Sequence, residues 1–161
     1  MRYAFNILAI ALLAGVGYAQ DAQKNSEATK DTKALLDSQR FEFVAESANP
    51  LKGRSIHLSP GYTFIVLPDS VVSDLPYYGR AFQASFDTRD AGIKFISTDF
   101  DYAVKPRKKN GWDISIKPKD VRHAPQIYLS VSTSGTGSLR ISSVDRESIS
   151  FTGYLRIPRK E

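Results

Sequence analysis

Residues 109–117 read KNGWDISIK, and this stretch decides the fold class. Lys109-Asn110-Gly111 is a strong signal for a tight β-hairpin turn. After this turn, Trp112, Ile114 and Ile116 alternate with polar residues, which is the period of a strand with one buried and one solvated face. The stretch therefore predicts an antiparallel hairpin followed by a half-buried strand.

Similar alternation recurs on both sides of this hairpin, separated by short segments rich in turn-forming residues. The further predicted strands lie around residues 56–58, 62–67, 82–87, 93–95, 100–104, 127–131, 139–141 and 149–157. No helical pattern separates the later strands, which argues against parallel βαβ units. We expect a mainly β fold, an antiparallel barrel or sandwich of about eight strands with one N-terminal α-helix. A calycin-like cup is one form that such a barrel can take.

The N-terminal helix is expected over residues 31–47. Leu36, Phe43 and Val44 fall on one helical stripe, and Asp31 or Thr32 could cap the start. Asn49-Pro50 would end the helix, because the residue before a proline avoids the helical region.

The first residues of the chain have the order of a cleavable export signal. Arg2 supplies a positive charge, residues 4–16 are almost wholly apolar, and Gly17-Tyr18-Ala19 places small residues before a cleavage site. The apolar run is too short to span a bilayer as a helix. We expect a signal peptide over residues 1–19, a disordered polar linker over 20–30, and a single β-rich domain with its helix over 31–161.

Composition excludes several classes of function. The chain has no cysteine, so it has no disulfide framework, no thiol nucleophile and no lipoprotein anchor. Its net charge of +5 comes from scattered lysines and arginines, which gives no sign of a nucleic-acid partner. The densest basic cluster, residues 106–111, is expected to be a solvated hairpin tip. After signal cleavage, no segment is expected to span a membrane.

The usual catalytic and metal-binding patterns are missing from the sequence. The chain has two histidines, His57 and His123, and neither has the partners that a triad or a zinc site requires. His57 alternates with Ile56 and Leu58, so its side chain is expected to face solvent. We therefore assign no catalytic residue, no metal ligand and no cofactor, and lean against an enzyme.

The segment 75–82, LPYYGRAF, is the most unusual stretch of the chain. Proline and glycine favour a turn, and tyrosines with an arginine can form the lip of a ligand site. The same residues can instead form a packed corner in which tyrosine hydroxyls bond the backbone. For the ligand-binding hypothesis, the candidate residues are Tyr77, Tyr78, Arg80 and Trp112.

These motifs resemble the domain of unknown function 4251 family. The matching segments are residues 43–50 (FVAESANP), 53–56 (GRSI), 75–81 (LPYYGRA), 92–95 (GIKF), 108–112 (KKNGW), 128–132 (YLSVS) and 149–153 (ISFTG). The resemblance implies an exported protein of Bacteroidota, in the periplasm or outer envelope. It implies no activity and transfers no catalytic residue.

Three hypotheses follow for the function. The first is a non-catalytic binding module for a small apolar or amphipathic ligand, because small barrels can hold one ligand. The alternative is a structural or protein-interaction component of the cell envelope. A hydrolase is the weakest of the three, because it needs a cleft that joins His57 or two carboxylates with a nucleophile or water.

Overall fold

The computed structural model describes residues 31–82, 92–123 and 125–158. Residues 31–37 are α-helical, and ten β-strands follow. The strands are β1 Phe41–Pro50, β2 Ile56–His57, β3 Thr63–Val66, β4 Val71–Leu75, β5 Ile93–Ser97, β6 Phe100–Pro106, β7 Trp112–Pro118, β8 Gln126–Val131, β9 Thr136–Ser142 and β10 Ile149–Arg156. The expected signal peptide and linker, and all but the first residue of the strand expected over 82–87, lie outside the described residues.

All the strand pairs are antiparallel and belong to a single sheet. The order is β5-β4-β3-β1-β10-β9-β8-β7-β6, with β2 paired to β1 off this path. The two end strands, β5 and β6, are consecutive in the chain, and only residues 98 and 99 lie between them. The sheet therefore curls into a nearly closed barrel. This confirms the mainly β, antiparallel prediction and favours its barrel form over a two-sheet sandwich.

Apolar side chains from almost every strand fill the inside of the barrel. The rings of Phe41, Phe43, Phe64 and Phe151 are 0% exposed. Burying one such ring contributes about 1.5–3 kcal/mol to folding. These rings come from β1, β3 and β10, which lie side by side at the centre of the sheet order, so the core is densest there.

The helix is shorter than the sequence pattern predicts, ending at residue 37 instead of near residue 47. Gln39 has a φ of 49°, a left-handed conformation that commonly follows the end of a helix. From Phe41 the chain is strand β1, in which Phe41 and Phe43 both face the core with a period of two. The prediction of helix over 38–47 was wrong because Phe43 and Val44 also fit a helical stripe, whereas the barrel buries both phenylalanines completely.

Helical segment 31–37 packs against the barrel at the turn between β8 and β9. Leu36 is 1% exposed and belongs to the common core. The Thr32 hydroxyl donates to the carbonyl of Thr133, in that turn, at 3.2 Å. Within residues 31–82, 92–123 and 125–158, no helix has the length and hydropathy that crossing a membrane requires.

Strand β4 is an element that the sequence pattern did not predict. It begins directly after the Pro68-Asp69-Ser70 turn, and its buried Ser73 interrupts the apolar row formed by Val71 and Leu75. The Ser73 hydroxyl donates to the carbonyl of Ile93 at 2.7 Å, so this polar group is satisfied inside the barrel.

A β-bulge in β1 lies opposite Gly153 of β10. Ala45 pairs with Gly153, while Ser47 pairs with Thr152, so Glu46 is the extra residue. A Cβ atom on Gly153 would lie 1.9 Å from the carbonyl oxygen of Val44, closer than any two such atoms can approach. Gly153 is therefore required by the close approach of the two backbones, as expected for a strand glycine near a bulge.

Candidate functional site

The inward faces of the two end strands carry apolar side chains that are only half-buried. On β6, Phe100, Tyr102 and Val104 alternate with exposed residues, and on β5 Phe95 lies between the buried Ile93 and Ser97. In the neighbouring strand β7, by contrast, Ile114 and Ile116 are each 1% exposed. We call the half-buried set formed by Phe95, Phe100, Tyr102 and Val104 the seam.

The seam has a simple physical origin. The described pairings give β5 one hydrogen-bonded neighbour, β4, and give β6 one neighbour, β7. Because no described ladder joins β5 to β6, each of these strands has a neighbouring strand on one side only. Its inward side chains are therefore less covered than those of interior strands. The seam is therefore the part of the described barrel interior whose apolar side chains stay only half-buried.

Asp120 holds the corner that joins the two seam strands. Its carboxylate accepts hydrogen bonds from the Ser97 hydroxyl, from the Thr98 backbone N–H at 2.8 Å and from the Asp99 backbone N–H at 3.2 Å. The Lys119 backbone N–H donates in turn to the Asp99 carbonyl at 2.8 Å. The bond from Ser97 and then that from Thr98 lower the pKa of Asp120 from 3.8 to about 2. The carboxylate thus fixes the two-residue link in one conformation.

Tyr102 connects the seam to the helical segment. Its hydroxyl donates at 3.1 Å to the carbonyl of Leu36, which also accepts from the Gln39 backbone N–H at 3.2 Å at the end of the helix. Burial raises the pKa of the Tyr102 hydroxyl well above 10.0. The hydroxyl is therefore neutral at physiological pH, and the ring presents an apolar surface to the seam.

The LPYYGRAF segment forms a packed corner against the loop between β9 and β10. The Tyr77 hydroxyl lies 2.9 Å from the Arg80 carbonyl and 3.1 Å from the Glu147 carbonyl, and the Glu147 backbone N–H donates to the same Arg80 carbonyl at 3.0 Å. The Phe82 backbone N–H donates to the carbonyl of Asp145 at 2.7 Å. Burial raises the pKa of Tyr77, although the charge of Arg146 opposes this shift. The backbone bonds of Tyr77 match the packed-corner interpretation of this motif.

Arg146 is the cation of this corner. Its guanidinium lies 5.0 Å from the centre of the Tyr77 ring, bonds the Asp145 carboxylate through Nε and Nη2, and donates from Nη1 to the Gly92 carbonyl at 3.2 Å. Asp145 is 6% exposed. Burial alone would raise the pKa of Asp145, but hydrogen bonds from Ser143 and Arg146 outweigh it and lower the pKa. These contacts tie the start of β5 to the loop before β10.

The candidate residues from the sequence do not form one cluster. Tyr78, which is 36% exposed, and the exposed Arg80 lie on the outside of the corner, beside the half-buried Tyr77. Trp112 lies far from this corner along β8. It pairs with Val131 at one end of β8. The loop that carries Arg146 follows Ser142 of β9, which pairs with Gln126 at the other end of β8. Trp112 is half-buried and packs on the core. It pairs with Pro106, two register positions beyond the pair formed by Val104 and Ile114 and on the same face, so it extends the seam.

The histidines and the basic cluster lie outside this region. His57 is exposed on β2, opposite Ser47, as the alternation predicts. His123 is half-buried in the loop after β7 with a φ of 64°. Residues 106–111 form the expected hairpin tip, where the Arg107 backbone N–H donates to the Gly111 carbonyl at 2.9 Å. No group of acidic or histidine side chains within the described ranges is arranged to hold a metal ion.

Sequence reasoning missed Asp120, Arg146 and the role of the seam. The alternation does place Phe95, Phe100 and Tyr102 inward, but it does not show which strands end the sheet. Asp120 lies in a segment without periodicity, where nothing distinguishes it from an ordinary solvated acid. No local pattern marks Arg146, because its stacking on Tyr77 joins residues that are far apart in the chain.

The comparisons with known proteins agree with this architecture. The model of a family described as "Domain of unknown function (DUF4251)" matches residues 23–155. The chain is also similar to the crystal structure of a DUF4251 family protein from Bacteroides eggerthii, with a TM-score of 0.60 and 14% sequence identity over 81% of this chain and 87% of that one. At this identity, the similarity concerns the fold alone. No curated protein matches the chain.

Replacing Asp120 tests whether the corner stabilises the barrel. Since the folded-state pKa of about 2 lies below the usual 3.8, the ionised carboxylate stabilises the fold at pH values above 3.8, and this contribution is lost as the pH falls toward 2. Asp120→Asn is expected to lower the urea midpoint of unfolding at neutral pH. As the pH falls through the acid range, the midpoint of this variant should fall less than that of the wild type, because the variant lacks the titrating carboxylate. Asp69→Asn, at an exposed carboxylate of the β3–β4 turn, is the control. Identical pH profiles for Asp120→Asn and the wild type would contradict the assignment.

The adjacent tyrosines of the corner form a matched pair for mutation. Tyr77→Phe removes the hydroxyl that lies within hydrogen-bond distance of the Arg80 and Glu147 carbonyls. The substitution is expected to destabilise the domain by about 0.5–1.5 kcal/mol. Tyr78→Phe removes a hydroxyl that makes no hydrogen bond to any described residue, and it should leave stability unchanged. Urea unfolding followed by circular dichroism measures both variants. Equal effects of the two substitutions would refute the packed-corner interpretation.

Proposed function

Since the chain belongs to the domain of unknown function 4251 family, whose description assigns no activity, we propose its function from the geometry of its barrel. We propose a non-catalytic binding module that takes a small apolar or amphipathic molecule into the seam. The observation that carries this proposal is the half-buried apolar row that β5 and β6 present on their inward faces.

The chemistry of the seam supports an apolar occupant. Phe95, Phe100 and Val104 offer no hydrogen-bonding group, and the Tyr102 hydroxyl is already bonded to Leu36. A ligand that covers these side chains gains about 25 cal/mol for each Å² of apolar surface removed from water. The exposed residues that alternate with them on β6, such as Asp101 and Lys105, lie on the solvent face of the strand. A polar head group that stays near this edge would keep its hydration, which favours an amphipathic molecule over a wholly apolar one.

The rigidity of the surrounding residues also supports binding at this place. The Asp120 corner fixes one end of the link between β5 and β6, and the Arg146 contact with Gly92 fixes the start of β5. A site whose walls are held in place loses less entropy when it binds a ligand. The helical segment is also held beside the seam, by the hydrogen bond from the Tyr102 hydroxyl to the Leu36 carbonyl.

We further propose that the protein acts in the periplasm or outer envelope. The charged, apolar and small residues of segment 1–19 support export through a cleavable signal peptide. Amino-terminal sequencing of the exported chain is expected to begin at Gln20. A mature chain that retains the apolar segment 4–16 would contradict this part of the proposal.

The alternative function, an interaction component of the envelope, has one observation in its favour. On the outer face of the sheet, Ile96 of β5 is 69% exposed and pairs with Val72, which pairs in turn with Ile65. This short apolar row could contact another protein. It points away from the barrel interior, so the two hypotheses involve different faces of the same strand.

Phe95 and Ile96 therefore provide the decisive comparison. The mature protein is expected to increase the fluorescence of N-phenyl-1-naphthylamine, and laurate is expected to displace the dye. Phe95→Ala should weaken dye binding about tenfold, which corresponds to about 1.4 kcal/mol of lost apolar contact. Ile96→Ala, one residue away on the outer face, should bind the dye like the wild type.

Two results would count against the seam as the binding site. One is the absence of any fluorescence increase with the folded wild type. The other is an equal loss of dye binding in both alanine variants. Phe95→Leu, which keeps an apolar side chain at the same position, controls for a loss of folding in Phe95→Ala.

A further inference from the structure

The outer face of strands β8, β9 and β10 contains a shallow depression with a volume of about 590 Å³. This volume is within the usual range of small-molecule sites. Every side chain that lines it is polar, and most are serines: Gln126, Tyr128, Ser130, Ser138, Arg140, Ser142, Ser148 and Ser150. It lies on the opposite side of the sheet from the barrel core and shares no residue with the seam.

Arg140 occupies the middle of this depression. It pairs with Tyr128 of β8 on one side and with Ser150 of β10 on the other. Its guanidinium is exposed, and within the described residues it makes no hydrogen bond or ion pair. Arg140 therefore presents five N–H donors and a full positive charge to the depression. Arginine geometry suits the two oxygens of a carboxylate or phosphate group.

The neighbouring side chains add hydroxyl groups and one exposed ring. The hydroxyls of Ser142 and Ser148 lie 2.9 Å apart, so each keeps further hydrogen-bonding capacity for a ligand. Tyr128 is 47% exposed, and its hydroxyl donates to Oε1 of Gln126 at 2.9 Å, which holds the ring in place. An exposed tyrosine ring that is fixed in this way offers a flat apolar surface of about the size of a sugar ring.

The acidic side chain of Asp113, next to the depression, is already engaged. Asp113 of β7 accepts a hydrogen bond from the Ser130 hydroxyl at 2.7 Å and lies 3.6 Å from Nε of Arg107. No carboxylate lines the depression itself. Its surface thus combines one unneutralised cation, many hydroxyls and one aromatic ring.

We infer that this depression is a second binding site, which takes an acidic saccharide. The guanidinium of Arg140 would bind the carboxylate of a uronic acid, the serine hydroxyls would bond the sugar hydroxyls, and the Tyr128 ring would pack against the C–H face of the sugar. A neutral sugar lacks the carboxylate that Arg140 would bind, and inorganic phosphate lacks the C–H face that the Tyr128 ring would cover. The inference does not depend on ligand binding in the seam.

The test uses the mature protein with trigalacturonate, maltotriose and inorganic phosphate as probes, and isothermal titration calorimetry as the measurement. Trigalacturonate is expected to bind more tightly than the neutral trisaccharide maltotriose and more tightly than phosphate. Arg140→Gln should weaken trigalacturonate binding about tenfold. Tyr128→Ala should weaken the binding of both saccharides, whereas Tyr128→Phe should retain more of it.

Arg40→Gln is the matched control, because it removes the same charge from an exposed position before β1, at the end of the β1–β10 ladder opposite to Ser150. It should leave trigalacturonate binding unchanged. The inference is overturned if no saccharide binds, if phosphate binds as tightly as trigalacturonate, or if the two arginine variants behave alike. Dye binding in the seam should be the same in Arg140→Gln and the wild type, so failure here is distinguishable from failure of the proposed function.

Discussion

The corner between β5 and β6 is the contact on which the barrel depends. A sheet with this strand order has two unpaired edges, and edges of this kind are sites of unwanted association. Here the two edges belong to strands that follow one another directly, and the Asp120 carboxylate bonds the hydroxyl of Ser97 and the backbone of Thr98 and Asp99. The covalent link keeps the edges close, although the described residues form no ladder between them. The same arrangement thus closes the barrel and leaves the inward side chains of its two end strands only half-buried.

The family motif LPYYGRA helps to hold the opposite end of β5, where the strand begins. Tyr77 and Arg146 join the segment after β4 to the loop between β9 and β10, across nearly half of the sheet order. The contact of Arg146 with the Gly92 carbonyl then fixes where β5 begins. Tyr77, one of the candidate ligand contacts from the sequence, thus also makes the backbone hydrogen bonds that hold this corner together.

Much of the fold can be predicted from the sequence, because alternation of apolar and polar residues is a local property. It identified β7, β8 and β9, together with the hairpin at Asn110-Gly111 and the break before Phe100. It failed at β1, where Phe43 and Val44 fit a helix equally well, and at β4, where the buried Ser73 breaks the apolar row. The seam and the Asp120 corner could not be predicted, because they depend on which strands end the sheet, and pairing over long sequence distances leaves no local pattern.

The pairing of the first strand with the last has a mechanical consequence. Glu42, near the start of β1, pairs with Arg156 at the end of β10, and the two side chains form a bidentate ion pair with distances of 2.7 and 2.8 Å. The chain thus enters and leaves the barrel at neighbouring points. A pulling force between these points would load the β1–β10 ladder at that end and open its hydrogen bonds one pair at a time, as a zipper opens. The Glu42–Arg156 pair is therefore the first tertiary contact of this ladder to bear the load.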